Sequence, residues 1–250
     1  MRDGCRTPHG MRRKGTGTKQ GALLAYGRGL FLVAVVGAVL FRYSAAEAAS
    51  GDSRAMVQSQ AAGGPPAEAR AESRIDWGAI VAVNKGRPPD DLEGRLHLAI
   101  AYANQGMVPE AAREFRAIEA AGYEDFGRKV IAKAEEAVAK DANDILNLNI
   151  VAFAYYAFSD FERSSECFEK LVSLDPQNIW TRHYFAVSLS RIGKLDKAIE
   201  VLKGALALDP SNEYTHLLLG LAYREKGWYI LSVLELARAG KAIRELSTLM

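Results

Sequence analysis

The tripeptide Leu174-Asp175-Pro176 returns as Leu208-Asp209-Pro210, an offset of 34 in sequence number, and a weaker copy, Lys140-Asp141-Ala142, lies the same offset before the first. Three chain reversals in one register at this period mean one supersecondary unit used repeatedly. A unit of that size buries its apolar face only against a neighbour. The interval therefore predicts stacked helical hairpins, an architecture that commonly binds other molecules instead of transforming them.

Side chains keep the same register. Small residues recur at Ala152, Ala186 and Gly220 and again at Ser164, Ala198 and Ser232. Tyr155, Leu189 and Tyr223 form one large set, and Phe168, Leu202 and Leu236 another. Small side chains let two helices of a hairpin approach, while large ones at helical spacing fill the space between hairpins. Ser159, Gly193 and Gly227 fall where the first helix of each unit must stop, and glycine takes the left-handed conformation of a helix end readily. Pro176 and Pro210 open the next reversal, which suits their fixed backbone angle.

On these residues the chain resembles the tetratricopeptide repeat (TPR) family, whose unit carries small residue, Tyr, Gly, Ala, Phe and Pro over about 34 positions. Residues 179–212 supply Ala186, Gly193, Ala198, Leu202, Ala205 and Pro210; residues 145–178 supply Ala152, Tyr155, Phe168 and Pro176; residues 213–246 supply Gly220, Tyr223, Gly227 and Ala239. An earlier copy at 92–125 has Ala99, Tyr102, Gly106, Ala111 and Phe115, but stands out of phase, since the step from Ala99 to Ala152 exceeds one period by 19. The insertion contains a periodic stretch, 126–140, with Val130, Ile131, Ala134 and Val138, that predicts one extra helix. Ile75 to Val83, with Trp77, Ile80 and Val81, reads as part of a half repeat at 75–89 covering the N-terminal end. The early Trp of the family is missing from every copy, and the last copy has Arg244 where the family has Pro. The resemblance implies an all-α, right-handed superhelix of stacked hairpins over residues 75–250.

The other informative region is at the front. Gly29 to Phe41 is uncharged and rich in Leu, Val and Phe, and follows Arg12, Arg13, Lys14, Lys19 and Arg28. Ser44-Ala45-Ala46-Glu47-Ala48-Ala49 then offers small residues at alternate places. Residues 1–48 are thus expected to be either a secretory signal, cleaved after Ala46 or Ala48, or a retained membrane anchor. The short uncharged core favours cleavage, and Arg42 favours retention. Either way the basic flank stays inside, which puts the rest of the chain outside the cytoplasm. Met11 is an alternative start. Residues 49–74, built from Ala, Gly, Ser, Gln and Pro, are expected to be a flexible linker.

Residues 1–48 carry eight basic and two acidic side chains, so the net charge of +2 for the whole chain leaves −4 for the remainder. The array has no excess of positive charge to attract a phosphate backbone, and nucleic acid is not an expected partner. Cys5 leaves with a cleaved signal, and Cys167, beside Phe168, reads as a small buried hydrophobe. The four histidines make no metal-binding or catalytic motif; His183 and His216, nearly one period apart, are the one pair near enough in register to share an ion. No cofactor is expected.

In the TPR family the first helix of each hairpin lines a concave groove that selects the ligand. Carrying those places across gives Asn149, Phe153 and Tyr156, then Trp180, His183, Val187 and Arg191, then Tyr214, Leu217 and Arg224. Aromatic rings with a few arginines suit a peptide or protein partner. The expected function is a non-catalytic interaction scaffold in an envelope assembly or secretion complex, with a carbohydrate-binding module in polysaccharide export as the alternative and a metal-dependent enzyme as a third.

Overall fold

A computed structural model describes residues 75–249. The expected signal or anchor, the linker, Cys5 and His9 lie outside the described residues. Among the described residues the chain forms eleven helices and no strand, and no helix is long and apolar enough to cross a membrane. They are α1 (Trp77–Asn84), α2 (Leu92–Gln105), α3 (Val108–Ala120), α4 (Tyr123–Lys140), α5 (Ile145–Ala157), α6 (Phe161–Leu174), α7 (Ile179–Arg191), α8 (Leu195–Leu208), α9 (Glu213–Glu225), α10 (Tyr229–Arg238) and α11 (Gly240–Leu249).

Local chemistry sets these boundaries. Asp144, Asn178 and Asn212, one register apart, cap α5, α7 and α9 by accepting from the backbone N–H groups of Asn147, Thr181 and Thr215. Such caps satisfy orphan donors of the first turn. Each cap is placed by a turn in which its own N–H donates to the carbonyl of Asp141, Asp175 or Asp209. At the other end, α2, α7 and α9 are followed by Gly106, Gly193 and Gly227 at φ +76°, +76° and +77°, and α5 by Ser159 at +62°. The expected left-handed stops are therefore present, one of them carried by serine.

The hairpins α5–α6, α7–α8 and α9–α10 pack in sequence, with α6 against α7 and α8 against α9. Close approach occurs at the small residues: Ser164 Oγ donates to the Ala152 carbonyl at 3.0 Å across α5 and α6. A Cβ on Gly220 would come within 2.7 Å of Leu236. The extra helix starts at Tyr123, ahead of the expected 126, because Gly122 at φ +83° turns the chain and the helix resumes at once.

Two features depart from a nearest-neighbour array. The first hairpin, α2–α3, packs on α5 and α7 as well as on α1, so it reaches past the second repeat to the third. In the last repeat, α10 stops at Arg238, a full turn short of the place where its counterpart α8 ends, and α11 turns back onto α9 and touches α3.

Candidate functional site

The inner surface formed by α5, α7 and α9 is occupied by the chain itself. Asn104, at the end of α2, donates through Nδ2 to the Ile100 carbonyl and to Asn149 Oδ1, at 3.0 and 3.1 Å. Its Oδ1 accepts from Asn178 Nδ2 at 3.1 Å and from Thr181 Oγ1 at 3.2 Å. Both donors and both acceptor sites of this buried amide are thus satisfied, which fixes the docking of the first hairpin. Tyr184 adds a bond from its hydroxyl to the Ala103 carbonyl at 3.0 Å. Burial pushes the Tyr184 phenol far above its ordinary range, so it remains a donor.

Phe153 is the hub beneath. Its ring meets Phe115 of the first hairpin at 5.6 Å between centroids, Phe168 at 5.3 Å and Tyr184 at 4.9 Å. Asn149 and Phe153, expected to face a ligand, are buried by an element of the same chain. Tyr156 is buried too, packed on Phe161 with ring centroids 5.0 Å apart, and burial pushes its hydroxyl up to about 12, an effect eased by Arg191. Arg191 lies 4.3 Å above the Phe161 ring. These placements correct the groove expectation at Asn149, Phe153 and Tyr156, because register says which side of the array a residue is on, not whether another part of the chain covers it.

Trp180, His183 and Tyr214 come together as expected of adjacent first helices. Trp180 is edge-on to both His183 and Tyr214, at 5.0 and 5.1 Å. Gly106 of the first hairpin lies against the indole so closely that a Cβ there would overlap it. Tyr214 donates to Glu245 Oε2 of α11 at 2.5 Å, and burial followed by that carboxylate raises its pKa far above the usual value. Trp180 and Tyr214 are half-buried. Arg224 is partly buried in the last turn of α9. Val187 and Leu217 belong to the core.

His183 is a second correction. It is buried, and its Nε2 lies 2.7 Å from Thr215 Oγ1, which itself donates to Asn212 Oδ1 at 3.0 Å. The imidazole therefore carries its proton on Nε2 and donates to Thr215. Desolvation lowers its pKa to about 3. His216 faces elsewhere, with Nδ1 2.6 Å from Glu235 Oε2 and Nε2 3.0 Å from the Pro210 carbonyl. The two rings are committed to different partners and do not converge on a shared ion. Among the described residues no three His, Cys, Asp or Glu side chains form a candidate metal cluster.

An open apolar surface runs from Trp228, the residue before α10, along α10 itself. Trp228, Tyr229, Ile230, Leu231, Val233 and Leu234 keep between 40 and 66% of their surface exposed. At roughly 100° per residue these side chains cover most of the helix circumference not packed on α9. Register shows how unusual this is. The places of Ile230, Leu231 and Leu234 are held by Asp196, Lys197 and Glu200 in α8 and by Glu162, Arg163 and Glu166 in α6. Val233 stands where Ile199 is buried to 5% exposure, yet is itself 66% exposed. A contiguous apolar patch of this kind marks an interaction site. The signal is present in the sequence: aligned at the repeat interval, the three second helices change from charged to apolar at these places. The positions that define the register are buried ones and do not display it.

Charge differs along the array as well. Residues 224–250 carry five basic and three acidic side chains, a net of +2, while residues 75–223 carry sixteen and twenty-two, a net of −6. Arg238 at the end of α10 and Lys241 at the start of α11 keep over 60% of their side chains exposed, although Glu235 and Glu245 lie within 3.5 and 3.4 Å.

Family models match two stretches of the array. Residues 148–178 match a model described as tetratricopeptide repeat, and residues 188–227, which straddle two of the copies read above, match one described as TPR repeat. Solved chains that are similar include one described as MamA MSR-1 C2, 22% identical, covering 68% of this chain and 88% of its own length, with a TM-score of 0.42. Another, described as the crystal structure of MamA, is 19% identical over 69 and 89% with a TM-score of 0.43. The MamA RS-1 ArsTM double mutant is 14% identical over 68 and 84% with a TM-score of 0.44. None of the curated proteins matches. The described residues form an all-α stack of helical hairpins, two stretches of which match tetratricopeptide repeats.

Proposed function

We propose that this chain is a non-catalytic protein-interaction scaffold, carried outside the cytoplasm as part of an envelope assembly or secretion complex, and that it holds its partner on the outward face of α10. The observation that carries this reading is the replacement of the charged places of α6 and α8 by Ile230, Leu231 and Leu234. A helix apolar on nearly every side is a helix that is covered in use. The partner segment is apolar and flanked by carboxylates, matching Arg238 and Lys241 at the rim and the net charge of +2 on residues 224–250. TPR-type repeats in the same array support the scaffold role, and the uncharged run Gly29 to Phe41 with its basic flank supports export.

Two experiments test the two halves. A reporter active only outside the cytoplasm, fused after Ser73, is expected to be active and to fall silent when residues 23–41 are removed; activity inside the cell alone overturns export. Ile230→Glu with Leu234→Glu is expected to abolish complex formation with the partner while leaving the thermal midpoint within a few degrees, because both side chains are already exposed. Undiminished complex formation overturns the assignment of the face.

A further inference from the structure

Neither end of the described array turns a charged face outward. Internal repeats cover one another, whereas a terminal repeat stays soluble by presenting a polar outer face. At the C-terminal end, Val233 stands where Ile199 is buried within the stack, and Ile230, Leu231 and Leu234 stand where α6 and α8 carry charges. At the N-terminal end, α1 contains no charged residue. It packs on α2, with Trp77 and Asn84 buried, and leaves Gly78, Ala79, Ala82 and Val83 exposed. At roughly 100° per residue these four fall within one arc of about 140°, on the side away from the buried pair. Val83 keeps 67% of its surface exposed.

One chain therefore carries two uncovered apolar helices, and their surroundings differ in sign. Residues 224–250 have a net charge of +2, whereas residues 75–91, with three acidic and two basic side chains, have −1. Pairing α10 with the α10 of another copy sets +2 against +2, while pairing it with α1 sets opposite signs together. The large side chains of α10 also suit the low relief of α1, where Gly78 and Ala79 permit a close approach. We infer, on the reading that α10 holds the partner, that the partner is a second copy of this chain and that its α1 is the segment held. That segment is apolar and has carboxylates on its flanks, at Asp76, Asp90 and Asp91. Contact between unlike surfaces leaves one α1 and one α10 free however many copies join, so association runs head to tail and continues past the dimer.

The test mixes two variants of the full chain. Ile230→Glu with Leu234→Glu blocks α10, and Ala79→Glu with Val83→Glu blocks α1; all four places are exposed, so both variants are expected to fold as the native chain does. By light scattering at about 100 μM, where a small interface is populated, the native chain is expected to form species larger than a dimer. Each variant alone is expected to be monomeric, because a carboxylate is not buried unpaired in an apolar contact. Their equimolar mixture is expected to form dimers and stop there, since it joins one intact α1 to one intact α10. A mixture that stays monomeric overturns the inference. So does dimerisation of the α1-blocked variant by itself, which means that α10 pairs with α10, and so does native-like association of the α10-blocked variant. A native chain that is monomeric at this concentration overturns it too; if positions 231 and 234 then crosslink in cells to a different protein, the seat on α10 stands and only the second copy is lost. Should Ala79→Glu disturb α1, Val83→Glu alone makes the same block.

Discussion

The side-chain oxygen of Asn104 accepts a hydrogen bond from the hydroxyl of Thr181 at 3.2 Å, although 77 residues separate them. An array whose units touch only their neighbours has no such contact. It ties the first hairpin to the third repeat and converts an expected open groove into interior.

Asn104→Ala leaves the buried amide of Asn149, the partly buried amide of Asn178 and the buried hydroxyl of Thr181 short of a partner. An unpaired buried polar group costs about 1–3 kcal/mol, so a loss of about 3 kcal/mol is expected for the set. Urea denaturation measures it; a change below about 1 kcal/mol would contradict the network.

Two glycines separate backbone conformation from packing. Gly106 and Gly193 both have φ +76°, but a Cβ overlaps Trp180 at the first and meets nothing within 4 Å at the second. Gly193→Ala should cost only the left-handed penalty, about 1–2 kcal/mol. Gly106→Ala should cost more by about 1–3 kcal/mol, the usual effect of overpacking. Equal losses would mean that the first hairpin does not rest on Trp180.

His183 makes acid sensitivity specific. Its pKa in the fold is lowered from 6.5 to about 3 by burial, so as pH falls the unfolded chain takes up the proton first. The stability contributed by the neutral ring is complete above about pH 6.5 and declines toward pH 3 at up to about 1.4 kcal/mol per unit. His183→Gln retains a donor for Thr215 and removes the titration. Its stability is expected to fall less steeply than that of the native chain below about pH 6.5, and parallel profiles would contradict the assignment.

The repeat register by itself predicts that Trp180→Ala weakens recognition and spares stability. With Gly106, His183 and Tyr214 against the indole, the expected result is instead a stability loss of about 2–4 kcal/mol, in the range of large-to-small substitutions. An unchanged thermal midpoint would restore the ring to the solvent.

What the sequence revealed follows from what a repeat controls. The helix stops at Gly193 and Gly227 and the small pairs Ala152 with Ser164 and Ala186 with Ala198 are set within one unit and its neighbour, so the repeat register displays them. The docking of α2 on α7 depends on Asn104, Gly106 and Trp180, which share no register and carry no periodic signal. The early stop of α10 is foreshadowed only by Gly240 and by Arg244 in the place of proline. Of the candidate site residues, Trp180, His183 and Tyr214 do cluster as adjacent helices require, but what covers them comes from the two ends of the described chain.

Whether the partner meets the outward face of α10 or the inner surface is read directly by site-specific photocrosslinking in cells, with p-benzoylphenylalanine placed singly at Leu231, Leu234 and Trp180. Adducts to one and the same protein are expected from positions 231 and 234, with none to it from position 180. Adducts from position 180, with positions 231 and 234 silent, would contradict the assignment of the partner to α10.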